Sequence, residues 1–317
     1  MYGEPLFLQP VFKDRIWGGT KLKDVFGYDI PSHTTGECWG ISAHPNGPST
    51  ILNGPLQGMT LDQAWQKHRG LFGGQSGEDF PLLIKILDAK TDLSVQVHPD
   101  DDYAQRVENE AFGKTECWYI IDCEEGAELV YGHHAKSRDE FQTLVNEGKW
   151  NELLRTVKIK PGDFVYVPNG TIHAIGAGTM ILETQQSSDV TYRVYDYDRR
   201  DEHGNKRELH IKKSIEVAMI PHEDADFAPV KRQAGDLHIK KLIQEAYFTV
   251  YHWHINGTSH VMDNPLYMLV SVIDGEGEIE TQNGVSSIKK GDHFIIPSTV
   301  KKFTLRGNAT MIASKSN

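Results

Sequence analysis

The sequence predicts a mainly β chain made of two related barrel-like units with short helical insertions, and three observations carry that prediction. From Glu37 to Leu52 and again from Pro81 onward, short apolar runs are broken by Gly, Pro and Asn, which suits strands better than helices. Helical spacing is confined to brief stretches. An internal echo links Ile159-Lys160-Pro161-Gly162-Asp163-Phe164-Val165-Tyr166-Val167-Pro168 with Ile288-Lys289-Lys290-Gly291-Asp292-His293-Phe294-Ile295-Ile296-Pro297. In each copy Gly-Asp is a turn, the next four residues form a short buried strand, and Pro ends the pairing because it has no N–H to donate.

The helical stretches announce themselves by their caps. Thr60-Leu61-Asp62-Gln63 and Ser137-Arg138-Asp139-Glu140 each place a hydroxyl three residues ahead of Gln or Glu, the pattern of a capping box. Leu61, Ala64, Trp65 and His68 then form one stripe stopped by Gly70, and Phe141, Leu144 and Val145 form another stopped by Gly148. A further helix is expected near Asp101. The insertions fall at about 55–75 and 135–156, inside a first unit spanning 1–235. The second unit, 236–317, begins after Phe227-Ala228-Pro229 and the Lys231-Arg232 pair, although early strands can pair with late ones across that boundary.

The turn-strand-Pro segments resemble the second half of a cupin motif, which implies cupin-type, jelly-roll-like barrels. In the first copy His173 follows five residues after Pro168; the same step from Pro297 reaches Lys302, so the second unit is expected to be degenerate and to lack a metal site. A chance recurrence of Lys-Gly-Asp turns is the alternative, since Gly-Asp is common turn chemistry.

Composition narrows the function. The chain has 317 residues, 38% hydrophobic and 24% charged, with a formal net charge of −11. Such an acidic balance argues against general binding to nucleic acid or to an anionic membrane, both of which need a broad basic field. A small anionic substrate stays open if a few cations gather locally. No run of eighteen apolar residues occurs, and Met1-Tyr2-Gly3-Glu4 lacks the basic and apolar regions of a secretory signal, so a cytoplasmic protein is expected. Cys38, Cys117 and Cys123 are too few and too irregular for a disulfide framework or a CxxC zinc site. There is no GxxxxGK[ST] loop, GxGxxG fingerprint, HExxH helix or GxSxG elbow, which removes nucleotide and serine-hydrolase readings.

One neighbourhood combines ligands and cations. In Ser94-Val95-Gln96-Val97-His98-Pro99, a strand puts Gln96 and His98 on the same face. Glu116 precedes the apolar strand Cys117-Trp118-Tyr119-Ile120-Ile121, and His173 follows the first echoed unit. Two imidazoles, a carboxylate and an amide oxygen suit Zn²⁺ best among common metals, with Fe²⁺ or Mn²⁺ able to take similar ligands. With fifteen histidines in the chain, His133-His134 and His252-x-His254 have no such carboxylate partner and are assigned no role.

Three cations accompany these ligands. Lys85, in Pro81-Leu82-Leu83-Ile84-Lys85-Ile86-Leu87, is a lone charge in an apolar strand and should face a cavity or an anion. Lys114 lies two residues before Glu116 and shares its side on an extended segment, unless it is a solvated edge lysine. Arg193, in Ser187-Ser188-Asp189-Val190-Thr191-Tyr192-Arg193-Val194-Tyr195-Asp196, can grip an oxyanion bidentately; a plain salt bridge to Asp189 or Asp196 is the structural alternative.

Taken together, these segments resemble the type I mannose-6-phosphate isomerases in their shorter bacterial form, over most of the chain. The resemblance rests on Trp17-Gly18-Gly19, Glu37-Cys38-Trp39-Gly40-Ile41-Ser42, Leu83 to Leu87, Ser94 to Asp100, Gly113-Lys114-Thr115-Glu116, Pro168-Asn169-Gly170-Thr171-Ile172-His173-Ala174 and Thr191 to Asp196. It implies one Zn²⁺ per chain on Gln96, His98, Glu116 and His173, and a catalytic Arg193. Lys114 and Asp189 are further catalytic candidates, and Lys85, Trp17 and Glu183 are substrate-binding candidates. The implied reaction interconverts mannose 6-phosphate and fructose 6-phosphate through a cis-enediolate. Lys114, Asp189, Glu183 and a metal-bound water all stay open as the proton-transferring base. The longer members carry a bulky helical domain and Lys-Pro-Glu where this chain has Lys114-Thr115-Glu116, so a more open pocket is expected. The expected partner is a small sugar phosphate, and either a monomer or a homodimer is compatible. An iron-dependent cupin oxygenase and a sugar-binding or regulatory cupin without turnover are the competing readings; neither accounts for Lys85, Lys114 and Arg193 beside the ligands.

Overall fold

The computed structural model describes residues 2–201 and 203–317. The chain opens with strands β1 (Leu6–Gln9) and β2 (Val11–Gly19), helix α1 (Lys21–Phe26), β3 (Thr35–Ile41) and β4 (Thr50–Ile51). Helix α2 (Leu61–Lys67) leads to β5 (Leu82–Ala89) and β6 (Val95–Val97), then α3 (Asp101–Tyr103), which continues as a wider turn over Ala104–Glu108. Next come β7 (Glu116–Cys123), β8 (Glu128–His133), α4 (Arg138–Asn146), α5 (Trp150–Leu153), β9 (Leu154–Lys158), β10 (Phe164–Val167), β11 (His173–Ile175), β12 (Thr179–Gln186) and β13 (Tyr192–Tyr195). After α6 (Ile211–Val217) the rest is sheet: β14 (Val230–Gln244), β15 (Phe248–Ser259), β16 (Met262–Asp263), β17 (Met268–Thr281), β18 (Gly284–Lys289), β19 (His293–Ile296) and β20 (Lys302–Ser316). The architecture is mainly β, as expected, and no helix of the described residues is long and apolar enough to cross a membrane.

Two sheets build the first unit, in the orders β10-β7-β12-β5-β3-β2 and β13-β6-β11-β8-β9. Trp17, Leu87, Trp118, Ile120, Ile175 and Ile181 fill part of the space between them. A nine-stranded sheet carries the second unit, whose interior is closed by Trp253, Phe294, Met311 and other apolar side chains. Strand β1 pairs with β19 and with β4, so residues 6–9 and 50–51 lie in the sheet of the second unit. Residue 235 lies within β14 at an irregularity in its pairing, where Gly235 takes φ 66°.

The echoed segments adopt the same turn. Gly162 and Gly291 have φ of 88° and 92°, a conformation that a side chain opposes. Asp163 accepts from the Lys160 N–H at 3.0 Å and Asp292 from the Lys289 N–H at 2.8 Å, and the strands β10 and β19 follow. Lys302, the counterpart of His173, opens β20 and is exposed.

The helices fall where their caps predict, with one difference in detail. Ser137 Oγ accepts from the Glu140 N–H at 3.2 Å and starts α4, while Glu140 Oε2 accepts from the Lys136 N–H at 2.7 Å. Thr60 precedes α2 but makes no side-chain cap; its backbone is engaged in an antiparallel bridge with Thr50 instead.

Candidate active site

Strand register assembles the site as two facing rows. In one sheet Gln96 on β6 is paired with His173 on one side and Arg193 on the other. In the other sheet Glu183 on β12 is paired with Trp118 and with Lys85, which in turn is paired with Trp39. Residues paired across strands point to the same face, so each row presents its side chains together. The two sheets meet at Trp118 and His173, whose rings are 5.4 Å apart at their centroids.

His98, Glu116 and His173 offer ligand atoms that all lie within 4.8 Å of one another, and all three residues are buried. His98 Nδ1–H donates to the Val190 carbonyl at 2.8 Å and His173 Nδ1–H to the Thr171 carbonyl at 2.9 Å. These bonds fix the tautomer, leaving each Nε2 lone pair turned toward Glu116, at 3.6 Å from His98 and 3.3 Å from His173. Burial lowers the His173 pKa to about 4, and burial together with Lys114 and His173 holds that of His98 well below the ordinary histidine value. Both rings are therefore neutral near pH 7, the form that ligates a metal.

Glu116 is buried; Lys114 Nζ stands 2.6 Å from its Oε2 as an ion pair, while its Oε1 has no hydrogen-bond donor among the described residues. A buried charge left with unsatisfied lone pairs is costly, so the pocket suits a cation that would share Glu116 with the two imidazoles. Gln96 Nε2 lies 3.3 Å from His173 Nε2; to present its oxygen to a cation the amide turns over about its broad terminal torsion. The donor set fits a borderline divalent metal.

Gln96 and Lys114 also line a cavity of about 380 Å³, together with Arg15, Trp17, Glu37, Lys85, Glu183, Asp189, Thr191, Arg193 and Arg207. A larger hollow of about 750 Å³ lies against the opposite face of β11, where Ala174 rather than His173 points; it contains none of the cluster. Lys85 meets the expectation of a cavity and an anion: its Nζ is 3.9 Å from Glu37, 3.8 Å from Glu183 and 4.8 Å from the Trp39 ring centroid. Glu37 accepts from Arg15 at 2.8 Å and from Trp39 Nε1 at 2.6 Å. Burial opposes its charge, but Lys85 and Arg15 outweigh it and lower its pKa to about 2. Glu183 accepts from Trp118 Nε1 at 3.0 Å; burial and the nearby Glu116 raise its pKa against the pull of Lys114 and Lys85. Burial likewise opposes the charge of Lys114, yet Glu116 and then Glu183 prevail and raise its pKa.

Arg193 does not form the salt bridge that its sequence neighbours offered. Asp196 is taken by Arg199 and Arg207, while Arg193 Nη1 donates to the Glu208 carbonyl at 2.8 Å and its Nε has no partner among the described residues. Asp189 is exposed and faces the cavity. All ten residues singled out from the sequence thus gather in one region. Arg15, Glu37 and Arg207 also line the cavity, and no spacing along the sequence marks them. Arg15 lies on a strand of mixed exposure, and Arg207 reaches the cavity from a loop; Glu37 was signalled by its segment Glu37-Cys38-Trp39 but not by its spacing.

Comparison with known proteins places the chain in a family. Residues 6–137 match the catalytic domain of phosphomannose isomerase type I, and residues 238–316 match the cupin domain of mannose-6-phosphate isomerase. The chain is 54% identical over 314 residues to the mannose-6-phosphate isomerase ManA of Bacillus subtilis and 51% identical over 314 residues to the mannose-6-phosphate isomerase of Streptococcus mutans, covering 99% of both chains in each case. The crystal structure of a mannose 6-phosphate isomerase from Bacillus subtilis superposes with a TM-score of 0.96 at 53% identity, over 98% of this chain and 99% of that one. A variant of phosphomannose isomerase from Salmonella typhimurium, at 14% identity and TM-score 0.81 over 99% of both chains, shares the fold. The chain belongs to the type I phosphomannose isomerase family.

Proposed function

We propose that this protein interconverts D-mannose 6-phosphate and D-fructose 6-phosphate, with one Zn²⁺ held by Gln96, His98, Glu116 and His173. The observation that carries the reading is the pair of neutral, carbonyl-anchored imidazoles turned toward a buried carboxylate, beside a cavity lined with cations. When bound, the metal supplies positive charge that orients the sugar oxygens and favours negative charge developing on them.

The chain's own residues account for the rest of the chemistry. Isomerisation moves a proton from C2 to C1 of the open sugar through a cis-enediolate, while the protons on O1 and O2 rearrange. Among the candidate bases, Lys114 is held protonated by Glu116 and serves as a fixed charge. Asp189 lies exposed at the rim. Glu183 is a buried carboxylate of raised pKa that lines the cavity, the combination suited to taking and returning a carbon-bound proton. Arg193 is in register with Gln96 and makes no salt bridge to a carboxylate among the described residues, which supports a role in steadying the enediolate oxygens. Lys85 bridges Glu183 and Glu37 at the cavity wall, where with Trp17 it can contact the sugar phosphate. Arg15 and Arg207 add charge for the phosphate, with Arg207 fixed by two hydrogen bonds to Asp196.

The test is a coupled assay of mannose 6-phosphate conversion before and after chelation, with zinc added back. Zinc-restorable formation of fructose 6-phosphate is expected. Folded protein that stays inactive in every metal state overturns the reading.

A further inference from the structure

Two of the arginines that line the cavity are held in the same manner, each by a buried carboxylate from another segment. Arg15 Nε donates to Glu37 Oε1 at 2.8 Å and its Nη2 to Oε2 at 3.3 Å. Arg207 Nε donates to Asp196 Oδ2 at 2.8 Å and its Nη2 to Oδ1 at 2.6 Å. In both pairs the carboxylate takes the Nε–Nη2 edge of the guanidinium, so Nη1 and the second N–H of Nη2 stay outside the pair. Of these donors, Arg15 Nη1 reaches the Asp14 carbonyl at 3.2 Å.

The carboxylates are more firmly fixed than the arginines. Glu37 and Asp196 are 7% and 5% exposed, whereas the side chains of Arg15 and Arg207 are 32% and 27% exposed. Glu37 also accepts from Trp39 Nε1 at 2.6 Å, and Asp196 from Arg199 Nη2 at 2.5 Å. Burial opposes both negative charges, yet Lys85 and Arg15 keep Glu37 ionised, and Arg207 and Arg199 do the same for Asp196. A partly exposed arginine left to itself samples many rotamers, and an anion that recruits it bears the cost of ordering it. Held by one edge, each guanidinium is ordered before an anion arrives and keeps donors to offer. Arg199 shares Asp196 but is not part of the cavity wall; Arg15 and Arg207 are.

Resting on the isomerase reading above, we infer that Glu37 and Asp196 are positioning residues for the phosphate group of the substrate, holding Arg15 and Arg207 so that their remaining N–H donors grip the phosphate oxygens. Two pre-set guanidinium forks match the geometry of a phosphate. Arg193, held through a backbone carbonyl and not a carboxylate, is left to the sugar oxygens. Loss of either carboxylate therefore weakens substrate binding and spares the chemical step.

The experiment is steady-state kinetics of zinc-loaded, full-length protein on mannose 6-phosphate, with inorganic phosphate as a competitive inhibitor. Glu37→Gln and Asp196→Asn are each expected to raise KM and the phosphate inhibition constant together by about tenfold, with kcat kept within about threefold and zinc content unchanged. Because Glu37 acts through Arg15, adding Arg15→Gln to Glu37→Gln should raise KM little beyond the larger single effect. Arg15→Lys and Arg207→Lys keep the charge but lose the fork, and are expected to show the same joint rise. Wild type that turns over while the folded carboxylate variants keep its KM and inhibition constant, or lose kcat instead, overturns the inference and leaves the isomerase reading in place. Wild-type phosphate inhibition in folded Arg15→Lys and Arg207→Lys does the same. A folded wild type without turnover in zinc overturns the isomerase reading and this inference with it.

Discussion

Replacing Lys114 with methionine separates the ion pair from the metal. Lys114 Nζ stands 2.6 Å from Glu116 Oε2 and 3.1 Å from His98 Nε2, two atoms that the proposed cation would use. Without metal, Lys114→Met strands a carboxylate that is 0% exposed, and breaking one partner of such a buried pair costs about 3–5 kcal/mol. With metal, the wild-type ammonium must yield those atoms or tolerate a like charge close by; two unit charges about 4 Å apart repel by about 4 kcal/mol at an effective dielectric constant of about 20. Part of that is relieved as the side chain moves away. The variant should therefore bind metal at least about tenfold more tightly, equivalent to about 1.4 kcal/mol. By linkage its stability deficit shrinks by the same amount at saturating metal. Urea unfolding with chelator and with excess Zn²⁺, alongside a competition titration of metal affinity, measures both quantities. An equal deficit in the two conditions, or weaker metal binding by the variant, refutes the reasoning.

Three further outcomes follow from the same geometry. Arg193→Ala should lower kcat by about 10²–10³ with metal content unchanged, measured by turnover and metal analysis; near-normal turnover removes it from the chemistry. Glu37 has its pKa depressed from 4.5 to about 2, so it contributes stability above pH 4.5 that is lost as pH falls toward 2. Over that window the wild type should lose about 3 kcal/mol more unfolding free energy than Glu37→Gln, and parallel pH profiles contradict this. Gly40→Ala would put a Cβ 2.3 Å from His293 Nδ1, a ring already bound to Ser271 at 2.8 Å and Tyr28 at 3.0 Å. Overpacking of that kind costs about 1–3 kcal/mol, read as a lower urea midpoint; an unchanged midpoint shows that the His293 contact is soft.

Much of the site is legible along the chain because its chemistry is local. Gln96 and His98 share a face by strand alternation, and Lys114 and Glu116 share one by the same rule, which the 2.6 Å contact reflects. Lys85 stood out as a charge in an apolar strand, and it lies between two carboxylates. Arg15 is not legible in the sequence because its partner Glu37 is on a neighbouring strand, across a register shift between Lys13 and Asp14. Arg207 is not legible either, because it is a loop residue held by Asp196, eleven residues earlier.

The sequence by itself determined the β class, the repeated Gly-Asp turn, the Lys302 that stands where the first copy has His173, and the identities of the candidate ligands. Each of these depends on backbone periodicity, on glycine and proline geometry, or on side-chain type, all of which are properties of a few adjacent residues. Only the tertiary structure decided that β1 joins the sheet of the second unit, that Gln96 lies between His173 and Arg193, and that Asp196 frees Arg193 by taking Arg199 and Arg207. Those outcomes turn on inter-strand register and on competition among charges brought from distant segments, and neither is encoded in the spacing of any one stretch.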